Sequence, residues 1–425
     1  MTLSSISAAV TALKAVTNVN NAISQNVANG ETPGYKVKNG RFEAMVTGGS
    51  LTSGKFAPGG SRAHIVQNVE LQGSFVGSEE ASNVAIIGKG LLVGSPNPNT
   101  DQLVYTAAGD ATVMPDGSLV TSGGIVLKGW QTDSKGVELS GASQGSLKNI
   151  NVKDIDQYYV QTSTLGIRAN ITSDTSLTDV PIQVNFPIVD SLGDEHTFTA
   201  SFQRTSIDPN LWNVSISCPD AQHVYKSGTT TDYGGGTPMV LQFDDHGLVT
   251  SFDGSPTPPN IDIVWDNAQT NAADMTVALN LGTVGRNDGL VSLAKTSATP
   301  RIDQDGVRMA KASGFEIDQG GLLSVVFENG LRLPRWQFAL ALFPAPNMLD
   351  PASGNAFMQT SLSGVPSFGR PNEGEYGKLL SGQIESSNVD FAEQITQMIQ
   401  LQHAFHGNTK VIESSDQMLQ KLLSI

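Results

Sequence analysis

Cysteine is almost absent from this chain. Cys218 is the only one among 425 residues, so an intrachain disulfide framework and a cysteine-rich zinc site are both excluded. The surrounding segment, Ser215-Ile216-Ser217-Cys218, has the composition of a strand. We therefore expect Cys218 to be a small buried side chain rather than a reactive thiol.

Charged side chains are scarce, and most of them are acidic. They form 15% of the chain, with 25 Lys and Arg against 40 Asp and Glu, which gives a formal net charge of −15. Nucleic-acid binding needs clustered basic side chains that displace counterions, and no basic run occurs here. The acidity therefore disfavours a nucleic-acid partner, and we predict none.

Long hydrophobic runs are also missing. No stretch approaches the roughly 18 apolar residues that span a bilayer, so we expect no membrane insertion. The first residues, Met1-Thr2-Leu3-Ser4-Ser5-Ile6, lack the basic start and continuous apolar segment of a signal peptide. If the protein leaves the cytoplasm, we expect export without a cleaved signal peptide.

The residues that are abundant indicate short strands joined by tight turns. The chain contains 44 glycines and 20 prolines, and 39% of it is hydrophobic, enough for packed cores. Its length predicts two to four domains.

The first thirty residues predict a helix of unusual composition. Lys14 is their only charged side chain, and small polar residues and alanines separate the apolar positions. Those positions recur every three or four residues, a helical period: Leu3, Ile6, Val10, Leu13, Val16, Val19, Ile23 and Val27. A surface helix normally carries a charged outer face, so we expect this one to be surrounded by neighbours.

The last segment predicts a second helix, of about 34 residues. Asp390 is the expected N-cap, with Glu393 completing a capping box. An apolar residue then recurs every seven positions, at Phe391, Met398, Phe405, Ile412 and Leu419, as along a coiled-coil seam. The expected second line of the seam is mixed: Ile395, Gln402, Thr409, Asp416 and Leu423.

Two interpretations of these terminal helices remain open. They could form an ordinary antiparallel pair within one molecule. The interpretation we favour is burial by other subunits in a polymer core, with the helices disordered in dilute monomer.

The middle of the chain predicts β-structure. Turns rich in Asp, Asn and Gly, as hairpins demand, occur within 114–120, 243–249, 317–323 and 327–331. The expected fold class is mainly β with helical termini, in which the helices pair in a polymer core and an outer β-domain is inserted into an inner one.

The predicted domains are listed here with their bounds: a helical core of 1–30 with 388–425, a connecting segment of 31–70 with 371–387, an inner β-domain of 71–145 with 296–370, and an outer β-domain of 146–295. Loop-like composition is expected at 47–62, 140–146 and 297–300.

Candidate chemical sites have simpler explanations as turns or packed faces. Gly88-Lys89-Gly90 lacks the remainder of a phosphate-binding loop, and Asp303-Gln304-Asp305-Gly306 lacks the glutamate that closes a calcium loop. The carboxylates beside His196 and His246 have no nucleophile motif near them, and His403 with His406 has no third metal ligand. We predict no catalytic site, cofactor or metal.

Several motifs, in order along the chain, resemble the axial proteins of the bacterial flagellum, which form the rod, hook and junctions. They are Asn26-Val27-Ala28-Asn29 with Thr32-Pro33-Gly34-Tyr35-Lys36, Leu71-Gln72-Gly73, Asn83 to Gly90, Tyr105 to Gly109, Asp116 to Val120, Ser387-Asn388-Val389-Asp390, and Gln402 to Lys410 with Asn408. Within this family, the length and the insert are similar to those of hook subunits. Pro187 to Gly193 with His196, and Leu241 to Gly247, resemble the outer domain of that class.

The resemblance implies a secreted homopolymer subunit. Hook subunits form a curved tube that transmits motor torque to the filament as a universal joint. The implied partners are other copies of the chain, the distal rod, hook cap and hook-filament junction proteins, and the flagellar type III export apparatus. Alternatives are a distal-rod or junction subunit of the same family, or a secreted β-rich adhesin-like protein.

Overall fold

The chain folds into two compact units. Unit 1 comprises Met1–Asp154, Ser313–Val326 and Gly330–Ile425, and unit 2 comprises Ile155–Ala312 and Phe327–Asn329. The structure, a computed structural model, describes residues 2–46, 58–294 and 300–423.

The helices and strands of the described residues are listed here in chain order. The first group is α1 (Thr2–Ala28), β1 (Lys38–Val46), β2 (Pro58–Gln67), β3 (Phe75–Gly77), β4 (Val84–Ile87), β5 (Leu91–Ser95), β6 (Val104–Thr106), β7 (Ala111–Val113), β8 (Leu119–Thr121), β9 (Val126–Gln131) and β10 (Lys148–Asn149). The second is β11 (Gln157–Val160), β12 (Thr164–Asn170), β13 (Ile182–Val189), β14 (Glu195–Ser206), β15 (Asn210–Ser217), β16 (Ala221–Lys226), β17 (Met239–Phe243), β18 (Val249–Phe252), β19 (Ile261–Trp265), β20 (Met275–Asn280), β21 (Leu290–Val291) and β22 (Arg301–Gln304). The third is β23 (Val307–Ile317), β24 (Leu322–Phe327), β25 (Arg332–Phe338), β26 (Leu340–Leu342), β27 (Asp350–Ala352), β28 (Ala356–Met358), β29 (Ser367–Gly369), β30 (Lys378–Ser381), β31 (Gln383–Glu385) and α2 (Phe391–Leu423). Short 3-10 helices occupy Gln144–Ser146 and Pro346–Met348.

The terminal helices pair within one molecule. The carboxyl end of α1 lies beside the amino end of α2, because Asn26 bonds Gln394 and the Phe391 ring packs on Gly30. The pair is therefore antiparallel. The prediction of two terminal helices that pair is confirmed. Each helix already uses part of its surface on the other, and burial of the remaining surface by other subunits stays a prediction.

A β-hairpin covers another side of α1. β1 and β2 pair antiparallel, and the hairpin approaches the helix closely where it carries glycine: a Cβ on Gly40 would lie 2.5 Å from a Val19 methyl. The Ser61 amide donates to Thr11 Oγ1. Residues 58–62, expected to be loop, thus begin a strand, and residues 47–57 lie outside the described part.

The strands of unit 1 form a sheet that packs around a hydrophobic core. β24 pairs with β25, and the order then runs β9, β5, β6, β28 and β27. Segment 140–146, expected to be a linker, is held inside unit 1, because Trp130 Nε1 donates to the Ser143 carbonyl and β10 pairs with β9. Of the return linker expected at 297–300, residues 297–299 lie outside the described residues.

All four predicted hairpin turns are confirmed. They join β7 to β8, β17 to β18, β23 to β24 and β24 to β25. Each carries a glycine with positive φ: Gly117 (87°), Gly247 (75°), Gly321 (75°) and Gly330 (80°). The left-handed backbone that these turns require is the reason for glycine there.

Unit 2 contains two facing sheets. One has the order β13-β14-β15-β17-β18, and the other β16-β19-β20-β12-β21 with β22 on β12. Burial alternates along the strands, so that every second side chain enters one core around Trp212, Trp265 and Phe198. Cys218 is buried at that core, and burial raises the pKa of its thiol. The inserted β-domain was expected at 146–295, and this unit extends from 155 to 312.

Candidate assembly site

A buried polar network joins the two ends of the chain where the helices meet. Asn26, fully buried near the end of α1, donates from Nδ2 to the Lys38 carbonyl (2.8 Å) and to Gln394 Oε1 (2.8 Å). Its Oδ1 accepts from the Lys38 amide (2.9 Å) and the Tyr35 hydroxyl (3.2 Å). One asparagine thereby fixes α1, the segment leading to β1, and α2.

Tyr35 lies inside this network. Its ring is buried, and burial raises the pKa of the hydroxyl. Its backbone carbonyl accepts from the Asn388 amide (3.3 Å). The ring therefore packs and its hydroxyl holds Asn26 in place.

Asn388 and Asp390 position the start of α2. Asn388 Oδ1 accepts from the Val37 amide (2.7 Å), and Nδ2 donates to the Leu71 carbonyl (2.8 Å). Asp390 Oδ1 accepts from the amides of Ala392 (2.9 Å) and Glu393 (3.2 Å), so the predicted N-cap is confirmed. Glu393 accepts from Gln397 Nε2 one turn later.

A buried ion pair lies beneath the network, and sequence reasoning assigned no role to it. Lys36 Nζ is 2.7 Å from Glu385 Oε1, with both side chains 3% exposed. The ammonium also donates to the Leu71 carbonyl (2.8 Å), and Glu385 Oε1 accepts from the Gly73 amide (2.7 Å). The only signal in the sequence was that Lys36 is the last residue of the motif Thr32-Pro33-Gly34-Tyr35-Lys36.

Gly34 allows a close approach that no other residue could make. Its φ is +66°, and a Cβ there would lie 2.6 Å from the Ala108 amide nitrogen. Its amide donates to the Glu385 carbonyl (2.7 Å). The chain leaving α1 therefore lies directly on the sheet of unit 1.

We expect Gly34→Ala to lower the free energy of unfolding of unit 1 by about 2–4 kcal/mol, because a left-handed backbone and a backbone clash combine. Urea unfolding followed by hydrogen exchange and mass spectrometry measures each unit separately. Gly374→Ala is the matched control: Gly374 has φ +60° with nothing within 4 Å of its Cβ position, so only the conformational cost of about 1 kcal/mol remains. Equal losses in the two variants would contradict the close-approach argument.

The other predicted motif residues lie near this junction or on the helix seam. The Asn29 carbonyl accepts from the Thr32 amide, and the Thr32 hydroxyl bonds Asn29 Oδ1 (3.2 Å), which shapes the turn after α1. Asn408 lies far along α2, half-buried, and donates to the Ala404 carbonyl. The structure thus brings Asn26, Gly34, Tyr35, Asn388 and Asp390 together, but not Asn408.

The buried line of α2 differs from the expected one. Gln394 is 1% exposed and Ser415 6% exposed, with Leu401 and Asn408 half-buried between them. These residues repeat every seven positions beside Met398, Ile412 and Leu419, which are half-buried. The second seam line is therefore 394, 401, 408 and 415 rather than 395, 402, 409 and 416.

Apolar side chains remain exposed on both flanks of this seam. Phe391, Ile395 and Ile399 are 43%, 51% and 49% exposed, and they form a stripe along the first turns of α2. Val411 and Met418, 44% and 55% exposed, lie on the opposite flank. Phe405 is 43% exposed at the edge of the seam.

The predicted residues of α1 differ in exposure. Ile23 is buried, Val10 is 39% exposed, and Ile6, Leu13 and Val27 are half-buried. Leu3 lies in α1, with its side chain outside the described part. The exposed face of α1 carries mainly small polar side chains: Ser7, Lys14, Thr17, Asn18, Asn21, Ser24 and Gln25.

The candidate chemical residues have structural contacts. His196 lies between two carboxylates, with Nδ1 2.9 Å from Asp220 and Nε2 3.3 Å from Asp190, and its ring centroid is 4.4 Å from that of Trp265. Asp244 accepts from the amides of His246 and Leu248, as in a turn.

The remaining candidates also lie in turns or on exposed surface. Asp305 accepts from the amides of Ser163 and Thr164, and Gly88 and Gly90 form a bend with positive φ between β4 and β5. His403 and His406 are exposed on α2. Within the described ranges, no group of three His, Cys, Asp or Glu side chains could hold a metal ion, and no helix there is long and apolar enough to cross a membrane.

Comparisons with known proteins agree with this arrangement. A family described as "Flagellar basal body rod FlgEFG protein C-terminal" matches residues 380–425, and one described as "Flagellar basal body protein FlaE D2 domain" matches residues 169–307. The flagellar hook protein FlgE of Borreliella burgdorferi is 28% identical over 441 residues, which cover 95% of each chain. Along nearly its whole length, the chain is similar to flagellar hook proteins. The first matched region contains Asn388, Asp390 and α2, and the second lies within unit 2.

Other hook proteins extend the comparison. FlgE of Rhizobium meliloti is 28% identical over 428 residues, covering 98% of this chain and 97% of that one. The crystal structure of the Helicobacter pylori flagellar hook protein FlgE2 has a TM-score of 0.50 at 15% identity, over 72% of this chain and 98% of that chain, which shows a shared fold. All three of these relatives are named flagellar hook proteins.

Proposed function

We propose that this chain is the subunit that polymerises into a curved tubular hook, with its terminal helices in the shared core. The observation that carries the proposal is the pair of exposed apolar flanks on α2, around Phe391, Ile395 and Ile399 on one side and Val411 and Met418 on the other. A helix whose apolar residues remain exposed after it has packed on its own chain needs further neighbours.

The composition of α1 supports a core position. Its exposed face has one charge, Lys14, and otherwise consists mainly of Ser, Thr, Asn and Gln. Small uncharged side chains let helices approach closely. A small displacement of one such helix along another costs little free energy. Subunits on the inner and outer sides of a bend can then have different spacings without losing contact.

The proposal assigns the predicted residues to assembly. Leu3, Ile6, Val10, Leu13, Ile23, Val27, Phe391, Ile395, Met398, Phe405, Ile412 and Leu419 contribute to the helical core, and the motif residues hold the helix pair on the β-structure. We propose that the chain divides into the four predicted parts: helical core, connecting segment, inner β-domain and outer inserted β-domain. The role is mechanical, without catalysis, cofactor or metal.

The proposed partners follow from the resemblance. Besides other copies of the chain, they are the distal rod, hook cap and hook-filament junction proteins, and the type III export apparatus, which would export the chain without a cleaved signal peptide. Distal-rod and junction roles are not favoured, because the relatives that align over nearly the whole chain are named hook proteins. A secreted adhesin-like protein is the remaining alternative of another class.

Electron microscopy of polymers grown from purified protein tests the proposal. We expect hollow curved tubes, and straight rods would instead favour the distal-rod role. Hydrogen exchange is the second measurement: the amides of α1 and α2 should exchange rapidly in dilute monomer and become protected in the polymer. A protein that stays monomeric at high concentration with protected termini would support the adhesin-like alternative.

A further inference from the structure

A loop with a fixed backbone in unit 1 carries two largely exposed apolar side chains. The segment joining β28 to β29 contains Leu362 and Val365, which are 74% and 77% exposed. Two exposed apolar residues are ordinary when each is isolated on a mobile loop. Here both lie within four residues on a segment whose backbone is fixed.

Hydrogen bonds hold this loop in one conformation. Thr360 and Ser363 bond reciprocally, each amide donating to the other's hydroxyl at 3.0 Å. The Thr360 hydroxyl also donates to the Met348 carbonyl (2.7 Å), and the Ser363 carbonyl accepts from the Ala345 amide (3.2 Å). Ser363 is fully buried and anchors the loop, whereas Leu362 and Val365 on either side of it are exposed.

The surrounding sequence is free of charge. No Asp, Glu, Lys or Arg occurs between Asp350 and Arg370, although the chain as a whole has a net charge of −15. Copies of such a chain repel one another. Contact between copies is therefore favoured where both surfaces lack charge, and this loop has that property.

The partner follows from the position of the loop in unit 1, which also carries the terminal helices. Packed helices lie about 8–10 Å apart, whereas the seven successive strands from β24 to β27 span roughly 30 Å at the usual strand spacing. Copies whose helices touch must bring their β-structures close together.

We propose that the 359–366 loop is a contact between subunits, in which Leu362 and Val365 pack on unit 1 of a neighbouring copy. The inference rests on the proposed polymer. Two side chains bury too little area to hold copies together alone, so the contact forms once the helices have associated. A helical polymer is built from such heterologous contacts between different surfaces of one subunit.

The test compares polymers of the full chain carrying Leu362→Asp with Val365→Asp against polymers carrying Leu362→Met with Val365→Ile, which keep the apolar area. We expect the acidic pair to raise the critical concentration for polymerisation about tenfold, equivalent to about 1.4 kcal/mol, and the apolar pair to leave it near the wild-type value. Circular dichroism of both monomers checks that they fold.

A photo-activated benzoylphenylalanine at position 362 gives an independent readout. We expect cross-links between copies in the polymer and none in dilute monomer. A polymer of the chain carrying benzoylphenylalanine at position 362 that shows no such cross-link, together with an unchanged critical concentration for the acidic pair, overturns this inference and leaves the proposed function intact. Cross-links only to lipid or to other proteins overturn it as well. A wild-type chain that forms no polymer removes the proposed function itself.

Discussion

Replacement of Lys36 by methionine is expected to destabilise unit 1 by about 3–5 kcal/mol, because the Glu385 carboxylate then stays buried without a cation beside it. Its remaining donor would be the Gly73 amide. Hydrogen exchange across a urea series measures the loss in unit 1, and unit 2 serves as the internal control because Lys36 and Glu385 both belong to unit 1.

The double variant Lys36→Met with Glu385→Leu separates the orphaned charge from the pair itself. Burying two apolar side chains in place of an ion pair is often neutral, so we expect the double variant to be more stable than Lys36→Met alone. A double variant at least as unstable as the single one would mean that the pair matters through its hydrogen bonds to Leu71 and Gly73 rather than through charge.

Phe405→Asp is expected to abolish polymerisation while both units stay folded. The ring is 43% exposed in the single chain, so an aspartate there remains hydrated in the monomer. In a helical polymer core the same carboxylate would lose its hydrating water without gaining a hydrogen-bonding or ionic partner. This desolvation costs several kcal/mol for each contact between subunits. Sedimentation of protein concentrated well above the wild-type critical concentration measures the effect.

Phe405→Leu is the matched control for that experiment, because it keeps an apolar side chain in a helix-favouring residue. We expect it to polymerise with at most a modest rise in critical concentration. Normal curved tubes formed by Phe405→Asp would exclude Phe405 from the core contacts and weaken the packing proposal.

Local structure was largely predictable from the sequence. The heptad residues at Phe391, Met398 and Ile412 predicted α2 because their spacing is a property of the helix itself. The hairpin turns were predictable for a similar reason, since an Asp or Asn followed within three residues by glycine specifies a tight turn locally.

The second seam line was wrong by one position for a physical reason. Hydrophobicity favoured Ile395, whereas the side chain that packs is Gln394. Its Oε1 accepts from Asn26 Nδ2 (2.8 Å), so a polar side chain can be buried there. A pattern that ranks positions by apolarity cannot find a buried polar pair whose members are 368 residues apart.

The ion pair and the unit boundaries could not be predicted from the sequence either, because they too depend on contacts between residues far apart in the chain. Nothing local to Lys36 indicates Glu385, and the segment at 140–146 looks like a linker although Trp130 holds it in unit 1. The composition of a segment indicates how flexible its backbone would be in isolation. Contacts with strands that are distant in sequence decide where a compact unit ends.

The junction between Lys36 and Glu385 also constrains the order in which the chain can fold. It closes a loop of 349 residues, at an entropic cost of about 5 kcal/mol for an unstructured chain. Prior folding of unit 2, most of which lies inside that loop as Ile155–Ala312, shortens the effective loop and lowers the cost. A chain delivered amino end first would therefore complete most of unit 2 early and close unit 1 only when Glu385, which only forty residues follow, arrives.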